Sequence, residues 1–500
     1  MKYIDYVQLN PFQKFFYNLK EFFVKLPKSV AKFFKAVGSA IVAFFMAIIN
    51  GFKGYFTRFA KGDWATKTSY LVMGTGNFTK GQIVKGLLYL GIEAFYIYFM
   101  MTFGSFYLIK FATLGTVEEV IDSRGKLVQA GDNSMLILLY GVLTIVVTLV
   151  FFALYIANTK SAYNNQKTVA SGKKPIRIKE EIRSYLDGKF HTTLLSFPVL
   201  TISIFTILPL IFMILIAFTN FDANHLAPAK LFTWVGLKNF GELFETTGGA
   251  SMGYTFMELT KWTLIWAVVA TFSNYILGMI IALMINKKGI KFKPLWRTLF
   301  VITVAVPQFV SLLLMSQMLA RDGAINTILT DVFGMAEPID FLNDQSNPNL
   351  AKITVLVVNC WVGIPYTILI TSGILMNIPV DLYESATIDG AGPVTCFMKI
   401  TLPYMLFVTT PHLITQFIGN INNFNVIYLL SGGGPRAVGT YAKGAGYTDL
   451  LVTWLFKMTI DKKDYSYAAA VGILVFVVCA TVSLITFNMS KSSRNEEEFS

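Results

Sequence analysis

Eight apolar runs, each long enough to cross a lipid bilayer as one helix, dominate this chain: residues 84–112, 134–157, 192–219, 260–286, 298–320, 351–376, 401–420 and 466–489. A helix needs ~20 apolar residues to traverse ~30 Å of hydrocarbon, where no backbone group can be left unpaired. The expected fold class is therefore all-α, a polytopic membrane protein of about 8 transmembrane helices. A composition that is 54% hydrophobic and only 14% charged, with mean hydropathy +0.56, excludes an ordinary soluble domain. The seventh run is the weakest, being short and polar throughout. No cleavable signal peptide is expected, because the first residues hold no continuous apolar core followed by a small-residue cleavage site.

The net charge of +13 fits positive-inside loops and anionic lipid better than nucleic acid, which is not an expected partner. Basic residues alternate between loops. Loop 158–190 carries Lys160, Lys167, Lys173, Lys174, Arg177, Lys179, Arg183 and Lys189, and loop 287–297 carries Lys287, Lys288, Lys291, Lys293 and Arg297. Loop 113–133 holds Glu118, Glu119, Asp122 and Asp132 against Arg124 and Lys126, and loop 321–350 is acidic. Both termini are thus expected in the cytoplasm, and the same parity puts residues 377–400 inside.

The first 80 residues differ in character. Phe12, Phe15, Phe16, Leu19, Phe22, Phe23, Leu26, Phe33, Phe34 and Val37 recur at helical spacing, with Lys14, Lys20, Lys25, Lys28, Lys32 and Lys35 between them. That pattern predicts a basic amphipathic helix on anionic lipid, broken or kinked at Pro27. Residues 38–50 are apolar but short for a span, and are read as interfacial or re-entrant. The expected organisation is a basic interfacial region over 1–80, two spans over 81–160, a basic cytoplasmic linker over 161–190, a six-span block over 191–490 and a cytoplasmic tail over 491–500.

Catalytic chemistry is not legible. Cys360, Cys396 and Cys479 lie in or beside apolar runs and form no CxxC pair, and the three histidines are too scattered for a metal site. The nearest approach to a phosphate-cradling loop is Gly76-Asn-Phe-Thr-Lys-Gly81, followed by Gln82-Ile83 rather than Lys-Ser/Thr. There is no G-x-S-x-G elbow and no H-E-x-x-H pair. The chain is expected to bind no cofactor and no metal and to be no enzyme. Any ATP and Mg must be held by a partner.

One cytoplasmic segment is distinctive. Residues 384–403 read Glu-Ser-Ala-Thr-Ile-Asp-Gly, then nine residues, then Ile-Thr-Leu-Pro. A short helix is predicted after Pro379, with Asp381, Glu384 and Asp389 in its first turns, where carboxylates favour the positive end of the dipole. Ala386 leaves a small side to seat in a groove, Gly390 permits a tight turn, and Pro403 starts the next span. The segment resembles the EAA loop, E-A-A-x-x-x-G…I-x-L-P, of permease subunits in binding-protein-dependent ABC importers, with Ser385 in place of the second residue. The resemblance implies a coupling loop over 377–403 that docks onto an ATPase through Glu384, Ser385, Ala386, Asp389 and Gly390.

Polar side chains inside a span are costly and usually face a cavity or another helix. The seventh run holds His412, Gln416, Asn420, Asn422 and Asn423, and His412, Gln416, Gly419 and Asn423 fall along one helical face. Interhelical hydrogen bonding is an alternative role for each, worth only ~0.6 kcal/mol per contact. Trp361-Val362-Gly363 offers an aromatic platform beside a small residue, with Pro365 loosening the helix, and Val306-Pro307-Gln308 interrupts the fifth run similarly. Asn422–Pro435, Ala445–Trp454 and Tyr467–Val471 look like the MalF/MalC-type permease subunits of maltose/maltodextrin importers, over roughly residues 190–490. That resemblance implies sugar contacts at Gln308, Trp361, Val362, Gly363, Asn422 and Asn423. It also implies a second homologous permease, two ATPase subunits, an extracellular or periplasmic sugar-binding protein, and alternating access in the bacterial cytoplasmic membrane. Val304 stands where relatives place an aromatic, and loop 220–259 has no room for the large extracytoplasmic domain of some relatives.

Two other readings compete. One is a permease for another oligosaccharide, raffinose-type or another glucan. The other is an ion-coupled secondary transporter, for which Glu93 in the first run is the main candidate carboxylate.

Overall fold

A computed structural model describes residues 35, 38–40, 42, 43, 45–124, 126–176, 178–245, 250–287 and 289–489. The expected amphipathic helix over residues 12–34 and the tail at 491–500 lie outside the described residues. Among the described residues the chain is all-α apart from a two-stranded antiparallel hairpin, β1 (Val120–Ile121) with β2 (Leu127–Gln129). It divides near residue 237 into two compact units.

The first unit begins with α1 (Gly38–Lys61). The expectation of an apolar stretch ending at residue 50 is corrected here. The helix continues through Phe52, Phe56 and Phe59, and its 24 residues are long and apolar enough to cross a membrane. Next come α2 (Ile83–Phe111), α3 (Ser134–Ala170) and α4 (Phe190–Ile216). Asn133 caps α3 by accepting from Leu136 N at 3.1 Å. At ~1.5 Å per residue the 37 residues of α3 reach about 55 Å, well beyond a ~30 Å hydrocarbon core.

The C-terminal part of α3 is correspondingly polar, and residues 62–82 fold onto it as a knot. Asn158 Oδ1 accepts from Gly74 N at 3.0 Å while its Nδ2 donates to Ser69 O at 2.9 Å. Asn165 Nδ2 donates to Asn77 Oδ1 and Gln82 Oε1, both at 2.7 Å. Gln166 Oε1 accepts from Asp63 N and Thr66 Oγ1, each at 3.0 Å. Burial pushes the Asp63 carboxyl up, but the Lys80 ammonium and the Thr66 hydroxyl and amide outweigh it and hold the group below its ordinary range. The stretch that approaches a phosphate loop is therefore built into this knot through Asn77. Glu93 accepts from Met73 N at 2.8 Å, so it too is engaged by the knot.

The second unit contains α5 (Met252–Asn286), α6 (Lys293–Ala305), α7 (Gln308–Met318), α8 (Pro348–Met376), α9 (Val380–Ile388), α10 (Leu402–Ile421), α11 (Phe424–Ser431), α12 (Leu451–Ile460) and α13 (Tyr465–Met489). The fifth apolar run, expected as one span, is the pair α6 and α7 bent by 88°. Pro307 has no amide to donate, and Val306 and Pro307 are extended, with ψ of 126° each. The weak seventh run is a 20-residue helix, α10, with Pro403 in its first turn.

Hydrophobic force does not pull helices together in lipid, so close van der Waals contact must. Trp262, Trp266 and Ala270 of α5 share one core with Leu312 of α7, Val355 and Val358 of α8, and Val426, Ile427 and Leu430 of α11. A second cluster ties Tyr275 and Met279 of α5 to Met405 of α10. These contacts fix the walls around the site described next.

Candidate functional site

A cavity of about 820 Å³ opens among α5, α6, α7, α8 and α10. Each wall follows from local sequence. The break at Pro307 starts α7 at Gln308, whose Oε1 accepts from Asn425 Nδ2 at 3.3 Å. Pro365 inside α8 lacks the amide that would bond the Trp361 carbonyl four residues back. Trp361, 50% exposed, lines the cavity from α8. Val362 lines the same wall while packing on the shared core.

On the opposite side, His412, Gln416 and Asn420 of α10 line the cavity at spacings of four. Asn420 Nδ2 donates to Thr271 Oγ1 of α5 at 2.9 Å. Asn423 Nδ2 donates to Asn420 Oδ1 at 3.3 Å, and Asn423 Oδ1 caps α11 by accepting from Val426 N at 3.2 Å.

The expected helical face through Gly419 and Asn423 is corrected. α10 ends at Ile421, so Asn420 takes the place assigned to Gly419, and Asn423 reaches the cavity from the following turn. Of the six expected sugar positions, Gln308, Trp361, Val362, Gly363 and Asn423 are brought together. Asn422 is not. It is the C-cap of α10, its Nδ2 donates to Ile418 O at 3.3 Å and Cys479 Sγ at 3.6 Å, and it lines a separate groove against α13.

Sequence reasoning missed Asn274, Asn359 and Tyr366, which also line the cavity. Their signal is the polar side chains within the fourth and sixth runs. No Asp, Glu, Lys or Arg lines the cavity among the described residues. Such a wall of amides, hydroxyls and aromatic faces can bind a neutral polyhydroxylated molecule, since amides donate and accept and aromatic rings cover its apolar faces.

The second element is α9, which follows Pro379. Asp381 lies in its first turn, but the placement of Asp389 in the first turns is corrected: it is the C-cap, because the helix ends at Ile388. The exit is a Schellman turn. Ala391 N donates to Ala386 O at 2.9 Å, Gly390 N donates to Thr387 O at 3.0 Å, and Gly390 has φ of +78°. Glu384, Ser385, Asp389 and Gly390 are exposed and Ala386 is half-buried. Ile388 is 86% exposed and Val394 75%, an apolar surface left uncovered among the described residues. Tyr383 Oη and Thr401 Oγ1, 2.8 Å apart, tie α9 to the turn that enters α10.

Comparison with known proteins places both elements in context. Residues 274–494 match the family described as "Binding-protein-dependent transport system inner membrane component". The galactooligosaccharides transport system permease protein GanP of Bacillus subtilis is 34% identical over 428 residues, covering 85% of this chain and 97% of that protein. The maltodextrin transport system permease protein MdxF of the same organism is 33% identical, covering 85% and 95%. The maltodextrin permease MalC of Streptococcus pneumoniae is 34% identical, covering 83% and 93%. A likeness over 428 residues cannot fit within 190–490, so it takes in much of the N-terminal region as well. A bacterial ABC transporter involved in the import of the acidic polysaccharide alginate shares the fold over 63% of this chain and 97% of its own, with TM-score 0.50 and 23% identity.

Proposed function

This chain belongs to the family of binding-protein-dependent transport system inner membrane components and is a permease subunit of an ABC importer; from that premise we propose that its cargo is a neutral oligosaccharide of the maltodextrin class. The observation that carries the reading is the uncharged wall of Gln308, Trp361, Asn359, Gln416, Asn420 and Asn423 around 820 Å³. A uronate polymer would need cations there to offset its carboxylates. A neutral glucan needs only donors, acceptors and an aromatic face. Galactooligosaccharide is the second reading, favoured by the 34% identity to GanP.

The engine lies on other chains. A second homologous permease would complete the pathway, two ATPase subunits would hold ATP and Mg, and an external sugar-binding protein would deliver cargo. The assembly would sit in the bacterial cytoplasmic membrane with both termini inside and the basic N-terminal region on anionic lipid. The exposed apolar and acidic surface of α9 supports docking of an ATPase. The hydrogen bond between the Tyr383 and Thr401 hydroxyls supports transmission of ATPase closure into α10, which lines the cavity, and hence alternating access.

The test is uptake of labelled maltotriose into vesicles holding the permease pair, with the ATPases, the binding protein and ATP added in turn. Uptake that needs all of them is expected. Uptake driven by an ion gradient without ATP would overturn the reading.

A further inference from the structure

Asn274 lies on α5, outside the helices to which the sugar contacts were assigned, and lines the cavity. Its Oδ1 is buried and has no hydrogen-bond partner among the described residues. The reason this amide fits at all is the residue facing it. A Cβ built on Gly363 of α8 would stand 2.2 Å from Asn274 Nδ2, 2.6 Å from its Cγ and 3.0 Å from Oδ1. Any side chain at 363 would therefore expel the Asn274 amide from its place. The neighbouring residues set the register: Ser273 Oγ and Cys360 Sγ are 3.2 Å apart, and one turn further a Cβ on Gly278 would meet Thr367 Cβ at 2.5 Å.

The same wall carries a complementary group. Asn359, one turn before Gly363, is 4% exposed, and its Nδ2 also lacks a partner among the described residues. A buried acceptor left unpaired is costly, so a donor arriving from the cavity would complete the wall. With no charged residue lining the space, a cation is a poor candidate for that donor. A hydroxyl gives a proton to one amide and accepts from the other.

We propose that Asn274 is a specificity-determining residue that accepts a hydrogen bond from a substrate hydroxyl, and that Gly363 is glycine to make room for it. The proposal rests on the oligosaccharide reading above and adds a residue of α5 to the assigned sugar contacts. A pocket built to bond one hydroxyl rejects analogues that lack it or point it elsewhere, because its own polar atom is then stranded.

The test uses the complete reconstituted transporter and measures ATP-dependent uptake of maltotriose and of a galactotriose. Asn274→Ala is expected to lower the rate for the preferred sugar by about 10-fold and to shrink the ratio between the two sugars, with the thermal unfolding midpoint held. Gly363→Ala is expected to fall to the same level, and Asn274→Ala/Gly363→Ala to be no worse than either single variant. An unchanged sugar ratio in Asn274→Ala, or a further loss on adding Gly363→Ala to it, would overturn the proposal while leaving the transport reading intact. A wild-type transporter that takes up neither sugar with ATP would instead sink the reading beneath it.

Discussion

The knot on α3 and the cavity of the second unit are built from the same kinds of side chain, asparagine, glutamine and threonine, yet they use them differently. In the knot most amide atoms are taken up by partners across the fold: Asn158 bonds Gly74 N and Ser69 O, and Asn165 bonds Asn77 and Gln82, while Asn77 Nδ2 is buried without a partner among the described residues. In the cavity Asn274 Oδ1 and Asn359 Nδ2 remain unpaired among the described residues. Residue type alone therefore does not separate membrane-protein glue from a ligand wall; unfilled hydrogen-bond capacity beside open space does.

The strongest way to break that contrast lies in the knot. Asn158→Ala strands a backbone amide and a carbonyl at a fully buried position, and should cost about 3 kcal/mol. Thermal unfolding in detergent should show it, while transport per folded molecule stays near wild type. Wild-type unfolding of this variant would erase the distinction. Next comes Glu384→Lys on exposed α9, expected to reduce transport by roughly 30-fold, about 2 kcal/mol, through weaker ATPase capture in a pull-down. Asn359→Ala removes an Nδ2 that has no partner among the described residues, so stability should move by less than ~1 kcal/mol while uptake drops about 10-fold. A large fall in melting temperature would put Asn359 with the knot. The smallest effect is expected from Asn423→Ser, which keeps an acceptor for Val426 N and removes only the amide donor. Uptake should change by about 2–3-fold, and helix content by circular dichroism should be preserved.

Much of the fold is legible from length and hydropathy, because a bilayer demands ~20 apolar residues whatever else a helix does. The broken fifth span is legible at Val306-Pro307 for the covalent reason that proline carries no amide, though the 88° angle depends on α7 seating Leu312 in the shared core. The segment at 384–403 is legible as a spaced pattern, yet Asp389 lies at the C-terminal end of α9 rather than in its first turns, since a helix end set by Gly390 decides which pole a carboxylate meets. The knot is not legible, because residues 62–82 and 158–166 meet only through long-range pairing. Asn274 and Asn359 escape for another reason. A lone amide in an apolar run looks the same whether it faces a neighbour or a void, and only the packing of α5 on α8 tells which.

The break between α6 and α7 carries one more consequence. A helix interrupted at mid-membrane presents the free amides of one half and the free carbonyls of the other at a depth where lipid can pair neither. Without a ligand, water is the partner that can pair them. On the oligosaccharide reading proposed above, each sugar hydroxyl that enters would exchange for a water bonded there. Such an exchange gains little net binding energy, which suits a site whose task is to let its cargo go.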